Sequence, residues 1–143
     1  MDGQLELMLS GSQFKKLLDE QVAEIRKKYN MKKAELDIIY FLAKNGEQNT
    51  STDIHNYLMM NKGHISQAVE SLCSRHFLVA IPDKQDRRYI HYKVTQNAKE
   101  IIDELIHIRT AMTEAIFEGV TAEELTAFKQ IAKKVSDNIK KML

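Results

Sequence analysis

Two neighbouring stretches of the chain carry side chains that suit the binding of a polyanion, one in a helix pattern and one in a turn. The helix pattern at residues 62–74 places apolar residues on one face and polar residues on the other. Amide, hydroxyl and cationic groups on the polar face offer hydrogen bonds to base edges and phosphates. The residues predicted to make these contacts are Asn61, Lys62, Gly63, His64, Ser66 and Gln67.

Individual members of this set offer different contacts. Gln67 can bond adenine through both ends of its amide, and Ser66 can bond a base or a phosphate. Asn61 can cap the helix and also contact phosphate, because the free N–H groups at a helix N-terminus suit an anion. Gly63 can let the backbone approach a strand closely, although it can equally be neutral. The competing interpretation of this face is ordinary solvation, and we favour binding because a basic turn follows it.

The basic turn Pro82–Arg88 lies between two runs with the period of β-strands, Phe77–Ile81 and Tyr89–Val94. It is too long for a tight hairpin, so its tip is expected to project from the surface. A short helix fits a major groove, while an arginine-bearing turn can reach the neighbouring minor groove. The order of the two features therefore favours double-stranded DNA as the polyanion.

The charged residues of the turn are predicted to have different roles. One of Arg87 and Arg88 should enter a minor groove, where narrow A·T-rich stretches concentrate negative potential. The other arginine should pair with Asp83 or Asp86 and so stabilise the projecting conformation of the hairpin. The order of residues alone does not decide which arginine has which role. Lys84 is predicted to contact phosphate, and the competing interpretation is a turn that is merely soluble.

Composition limits the possible classes of protein. The 143 residues are enough for one domain with its own core, and 43% are apolar while 29% are charged. No apolar run approaches the roughly 20 residues that a membrane span requires. The N-terminal sequence lacks the pattern of a signal peptide, and the single cysteine, Cys73, excludes an internal disulfide, so we expect a cytoplasmic protein without membrane contact. One Pro and five Gly indicate a mainly helical chain.

Net charge is only +1, so the whole chain does not have the basic character of many nucleic-acid binders. Residues 61–93 nevertheless hold six cationic and three anionic side chains, which gives this stretch a charge of +3. A local positive patch is sufficient for phosphate contact.

Helical spacing and capping signals predict the N-terminal elements that support these stretches. Residues 5–29 form one apolar stripe and predict one helix, and a second helix is predicted over 32–44, with Gly46 as its stop. Ser51 or Thr52 is predicted to cap a short third helix.

Similar signals predict the C-terminal elements. Thr95 is predicted to cap a long helix over 96–117, which Gly119 ends. A capping box at Thr121–Glu124 opens the last helix. The terminal segments 1–30 and 99–143 have no obvious partner in their own chain for all of their apolar surface. We therefore predict that they are dimerisation helices that pack against a second copy.

The pattern resembles the MarR family of winged helix-turn-helix regulators over residues 31–98. The match is fairly specific because it combines a helix-turn-helix with an Asp-Arg-Arg turn at the expected distance. The matching segments are Thr52–Ile54, His64–Leu72, Asp83–Arg88 and Val94–Ala98. The sequence departs from the family pattern at Met59, His76 and Ala98, where Gly is usual, and at His55, where a small residue is usual.

The resemblance implies a mainly α fold with a small β-hairpin wing, in which 31–98 is a winged helix-turn-helix DNA-binding lobe and the terminal helices form a dimerisation lobe. The whole chain, 1–143, is then a single MarR-like domain. It further implies a homodimer that places two recognition helices roughly 34 Å apart on a pseudo-palindromic operator. Such a protein would be a ligand-responsive transcriptional repressor, with an effector that the sequence does not identify.

Other functions remain as alternatives. A winged-helix module could instead use its basic hairpin to bind an acidic protein partner. We expect no enzymatic activity, cofactor or metal, because the sequence has no Gly-rich phosphate loop, no catalytic set and no helical histidine pair. Cys73 is expected to be a partly buried thiol rather than a redox sensor. An effector cleft could be lined by Tyr29, Tyr40, His107 and Arg109, although tyrosines at helical spacing more often belong to a core.

Overall fold

The structure is a computed structural model that describes residues 2–143, so Met1, the first residue of the predicted segment 1–30, lies outside the described residues. The chain forms two compact units, of which the first ends at Ile108 and the second is Arg109–Leu143. The elements in chain order are α1 (Gly3–Ser10), α2 (Ser12–Tyr29), α3 (Lys33–Lys44), α4 (Ser51–Leu58), α5 (Lys62–Ser74), β1 (Leu78–Pro82), β2 (Ile90–Val94), a 3-10 turn (Gln96–Ala98), α6 (Lys99–Ile116) and α7 (Ala122–Met142). This mainly α chain with one small hairpin confirms the predicted fold class.

The core of the first unit lies around α3, which packs against α4, α5 and β2. Burying each large apolar side chain stabilises the fold by roughly 1.5–3 kcal/mol. Because the apolar residues recur at helical spacing, each helix contributes one face to this core. The largest fully buried side chains are Phe41, Ile38, Ile39, Ile54, Ile65, Leu72, Ile101 and Leu105.

The single N-terminal helix predicted over residues 5–29 is wrong, because the structure has two helices there. Gly11 separates α1 from α2 with a φ of +68°, a left-handed conformation that ends a helix and that Gly adopts without steric cost. The apolar stripe therefore does not continue through both helices: α1 has no buried side chain. The buried residues of α2 are Leu18, Val22 and Ile25.

The cap of α4 is also corrected by the structure. Thr50, rather than Ser51 or Thr52, accepts the N–H of Asp53 on its hydroxyl at 3.2 Å. The Asp53 carboxylate accepts the Thr50 N–H at 2.9 Å, which completes a capping box. The predicted cap at Asn61 and the predicted capping box at Thr121 are both confirmed.

Thr95 does not cap the long helix as predicted. Its hydroxyl donates instead to the carbonyl of His76, and a 3-10 turn separates it from α6, which begins at Lys99. The helix thus starts three residues later than the pattern suggested, because the hydroxyl is used in a tertiary contact. None of the helices within residues 2–143 is long and apolar enough to cross a lipid bilayer.

The second unit consists of the end of α6 and the whole of α7. Within it, the rings of Phe117 and Phe128 meet edge to face, with their centroids 6.0 Å apart. Helix α7 has no buried side chain, although its apolar residues form one stripe. The large apolar side chains of α7 that remain exposed are Phe128, Ile131, Ile139 and Met142.

Candidate nucleic-acid interface

Helix α5 presents the predicted contact residues on one exposed face. Its N-terminus is fixed by Asn61, whose side-chain oxygen accepts the N–H of His64 at 2.8 Å. The first N–H groups of a helix have no intrahelical acceptor and favour an anion. The exposed residues of this part of α5 are Lys62, Gly63, His64, Ser66 and Gln67. The structure therefore brings together all the site residues predicted on this helix.

The opposite face of α5 holds the helix against the core. Its buried residues are Ile65, Ala68, Val69 and Leu72, at the spacing that a helix buried on one side requires. The C-terminal half is held by polar contacts as well. Ser71 donates its hydroxyl to the buried carboxylate of Glu35 at 2.9 Å, and that carboxylate also accepts the N–H of Lys32.

Arg75 fixes the end of α5, a role that the sequence analysis missed. Its guanidinium donates to the carbonyls of Tyr29 and Asn30 at the end of α2, at 2.5 and 2.9 Å. The same group lies over the ring of Phe77, 5.1 Å from its centroid. A cation at a helix C-terminus is also favoured by the helix dipole. The signal was weak, since the sequence shows Arg75 only as one more cation near a helix end.

Both ends of α5 are flanked by residues in left-handed conformations. Met59, before the helix, has a φ of +55°, and His76, after it, has a φ of +61°. These are two of the positions where the sequence departs from the family pattern by lacking Gly. The positive φ explains the usual preference, because Gly adopts this conformation without a Cβ clash.

The hairpin, which we call the wing (residues 78–94), is mostly exposed. Strands β1 and β2 pair antiparallel, with Leu78 opposite Val94 and Pro82 opposite Ile90. Of the β1 residues only Leu78 is buried. The wing tip, residues 83–89, is closed by a hydrogen bond from the Asp83 N–H to the Tyr89 carbonyl at 2.8 Å.

The two aspartates of the tip each accept several hydrogen bonds. The Asp83 carboxylate accepts the N–H groups of Asp86 and Gln85 at 2.9 and 3.0 Å. The N–H of Asp86, then the imidazole of His91, lower the pKa of Asp83 below its ordinary range. Asp86 binds the Arg88 guanidinium through both oxygens, with the shortest N···O distance at 2.8 Å, and this contact lowers the pKa of Asp86.

The two arginines of the tip differ in their contacts. Arg88 is occupied by Asp86, although its side chain is largely exposed. Among residues 2–143, Arg87 and Lys84 have neither a hydrogen bond nor an ion pair to another side chain, and both are exposed. Arg87 is therefore the arginine whose guanidinium remains available to an external partner.

His91 and Asn49 form a second set of contacts that the sequence analysis missed. The two ring nitrogens of His91 lie 2.8 Å from an Asp83 carboxylate oxygen and 2.6 Å from the Asn49 side-chain oxygen. Asn49 lies in the loop between α3 and α4, 42 positions before His91 in the chain. No local pattern could have indicated this pair, because only the folded chain brings the loop beside β2.

The remaining candidate residues have ordinary surroundings. Burial raises the pKa of the half-buried Cys73 thiol, which disfavours the reactive thiolate. Tyr29 donates its hydroxyl to Glu104 at 2.7 Å, a contact that raises the pKa of the phenol and helps lower that of the carboxylate. Arg109 belongs to the second unit. No group of three or more potential metal ligands occurs in the described part of the chain.

Comparison with known proteins defines the class of this domain. Residues 31–98 match the sequence model of a family described as the winged helix DNA-binding domain. No curated protein matches the sequence at a significant level. Over these residues the chain is therefore similar to winged helix DNA-binding domains.

Solved structures extend the likeness to nearly the whole chain. A MarR protein from Peptoclostridium difficile has a TM-score of 0.80 at 18% identity, over 99% of this chain and 91% of the other. FabT from Streptococcus pneumoniae, in complex with DNA, has a TM-score of 0.74 at 19% identity, over 99% and 100%. A MarR transcriptional regulator from Methanosarcina mazei has a TM-score of 0.78 at 14% identity, over 96% and 98%. This chain thus has the fold of MarR-type transcriptional regulators, as its motifs predicted.

Proposed function

We propose that the protein is a sequence-specific double-stranded DNA-binding transcriptional regulator, which acts as a homodimer on a pseudo-palindromic operator. The observation that carries the proposal is the exposed polar face of α5 together with Arg87 on the wing tip, which has no partner among residues 2–143. In the first unit, both features extend from one core, so both can contact one duplex. The related fold of FabT, which was solved in complex with DNA, supports the same function.

In this proposal, α5 lies in the major groove and reads base edges. Gln67 bonds a base through its amide, and Ser66 bonds a base or a phosphate. The N-terminal turn, with Asn61, Lys62 and Gly63, approaches a phosphate, because free N–H groups and a cation favour an anion there. His64, the remaining exposed residue of this turn, lies beside Asn61 and contacts the same part of the groove.

The wing contacts the adjacent minor groove. Arg87 enters it, because its guanidinium is free of partners within residues 2–143 while that of Arg88 is held by Asp86. Narrow A·T-rich minor grooves concentrate the negative potential that attracts such a side chain. Lys84 contacts phosphate, while Asp83 and Asp86 maintain the shape of the tip.

Dimerisation would cover apolar surface that one chain leaves exposed. Helix α1 has no buried side chain but carries four exposed large apolar residues, namely Leu5, Leu7, Met8 and Leu9. Helix α7 has the same character, with Ile131 59% and Ile139 49% exposed. Extended apolar surface of this kind marks interfaces. A two-fold dimer would present two α5 helices to half-sites roughly 34 Å apart.

Repression and release by a small molecule complete the proposed function. A dimer that occupies an operator can exclude other proteins from the same DNA. In this proposal a small-molecule effector releases the dimer from DNA, as the resemblance to MarR regulators implies.

The test is operator selection from random duplexes, followed by affinity measurements across a salt series. We expect a selected inverted repeat, and a log affinity that falls linearly with log salt by about 0.9 per phosphate contact. Arg87→Ala with Arg88→Ala should weaken binding by roughly 1–3 kcal/mol for each arginine that contacts DNA. Lys129→Ala with Lys134→Ala on α7 is the matched control for charge, and it should bind normally.

Two results would reject the proposal. One is the absence of any sequence preference together with tight binding to an acidic protein, which would favour the protein-interaction module. The other is unchanged operator affinity in the double arginine variant, which would reject the role of the wing.

A further inference from the structure

We infer that His91 and Asn49 are positioning residues that hold the wing against the helix-turn-helix core, because one ring nitrogen of His91 faces Asp83 and the other faces Asn49. Their effect on DNA affinity rests on the proposed function, but the contacts themselves can be tested on the free protein. Neither residue is a predicted DNA contact. Both would act on DNA only through the position that they give to the wing tip.

The wing tip needs such a device because apolar packing holds only the base of the wing. There, Leu78 is buried and strand β2, most of whose residues are half-buried, packs against α3. No side chain of the tip itself, residues 83–89, is buried, and Tyr89 is exposed. Polar contacts must therefore supply the order of the tip.

Asn49 connects the loop between α3 and α4 to strand β2 by two hydrogen bonds. It is 6% exposed and one of two buried polar or charged residues in the described chain. Its backbone carbonyl accepts the Tyr92 N–H at 2.9 Å, and its side-chain oxygen lies 2.6 Å from Nδ1 of His91. Nε2 of His91 lies 2.8 Å from an oxygen of the Asp83 carboxylate. The core is thus connected through two side chains to the first residue of the tip.

Asp83 extends the same chain of contacts into the tip itself. Its second carboxylate oxygen accepts the N–H groups of Gln85 and Asp86. These bonds set the conformation of the turn just before Arg87. A displacement of His91 would therefore be transmitted, through Asp83, to the arginine that is proposed to enter the minor groove.

The position of the Asn49 side chain is itself fixed by the loop. Its amide nitrogen donates to the Gly46 carbonyl at 2.9 Å, which turns the amide oxygen towards Nδ1 of His91. The contact with His91 therefore starts from a side chain that is already held in place.

Two substitutions separate the two contacts of His91. In His91→Gln, the amide nitrogen can replace Nε2 and reach Asp83 but not Asn49. In His91→Asn, it can replace Nδ1 and reach Asn49 but not Asp83. Both variants should speed amide hydrogen exchange at residues 83–89 and weaken operator binding by about tenfold, the effect of losing one partly buried hydrogen bond. Exchange along α5 should not change.

Asn49→Ala should have the same effect on the tip, while Gln48→Ala, at an exposed position of the same loop, should change neither exchange nor affinity. Unchanged exchange at the tip in all three wing variants would overturn the inference, even if the wild-type protein binds an operator. Faster exchange at the tip in a protein that selects no operator would instead leave the positioning role intact and reject the proposed function. Faster exchange throughout α5 would show a general structural role and would also overturn the inference.

Discussion

Helix α5 and the wing are held in place by different forces. Helix α5 buries four side chains against the core, whereas strand β1 buries one. The wing tip, which has no buried side chain, depends instead on directed polar contacts at Asp83, His91 and Asn49. Close packing fixes the helix because any displacement costs contacts along its whole face. The tip lacks packing of this kind, so a small number of hydrogen bonds decides its position.

This difference indicates that the two regions have different local stabilities. Segments with few buried apolar contacts open at lower free energy than a packed core. A helix that reads bases requires a fixed orientation, since its side chains must meet particular base edges. A tip that enters a minor groove needs reach and charge, and it can adjust to the width of the groove.

The largest expected effect is on stability, and it contrasts one buried residue of α5 with one residue of the wing. Leu72→Ala should lower the free energy of unfolding by about 2–5 kcal/mol, because a fully buried Leu leaves a cavity. Ile81→Ala in β1 should cost less, about 1–2 kcal/mol, since that side chain is already 38% exposed. Urea unfolding measures both, and equal losses would contradict the contrast.

The next effect concerns specificity. Gln67→Ala should cost about 1–3 kcal/mol at one base-pair position of each half-site and relax the preference there. Glu70→Ala, one turn further along the same helix, is the control and should retain that preference. A panel of operator variants measures both. A uniform loss of affinity over all operator variants would mean that Gln67 contacts only phosphate. It would also contradict the proposal that α5 recognises bases.

A smaller effect concerns backbone strain beside α5. Met59→Gly should stabilise the protein by about 1 kcal/mol, because Met59 has a φ of +55° and its side chain is 76% exposed. Met60→Gly is the matched control. Met60 is not among the described residues with a positive φ, so Gly relieves no strain there. Gly also increases the conformational entropy of the unfolded chain, so this variant should be less stable. Thermal unfolding separates the two, and a loss for both would contradict the strain at Met59.

The smallest effect is a response of the wing to acid. The pKa of Asp83 is lowered in the folded protein, so its contribution is present above its unfolded pKa and is lost as pH falls through the folded value. The amide resonances of Gln85 and Asp86 should therefore move only below the ordinary range of an aspartate, while those of α5 stay unchanged. A shift of α5 in the same pH range would show that the two regions are not independent.

Local signals predicted much of the molecule correctly. The caps at Asn61 and Thr121 follow from the side-chain oxygens of these residues, and the buried face of α5 follows from helical spacing. The cap of α4 was predicted wrongly because the neighbouring Thr50 and Ser51 can both cap a helix through a hydroxyl. The cap of α6 was predicted wrongly because the Thr95 hydroxyl donates instead to the carbonyl of His76. The break at Gly11 was missed because apolar residues continue on both sides of it. The roles assigned to individual residues in DNA contact stay predictions.

The sequence by itself determined the order of the elements, the polar face of α5 and the position of a basic turn after it. These properties depend on residues within a few positions of one another, so periodicity and capping chemistry are sufficient to specify them. Only the tertiary structure decided that Arg75 meets the end of α2, that Asp86 pairs with Arg88 rather than with Arg87, and that Asn49 lies against His91. The contacts of Arg75 and Asn49 join residues more than 40 positions apart, and the division between the arginines depends on the shape of one turn. Such contacts form only when the whole chain folds, so no local pattern in the sequence encodes them.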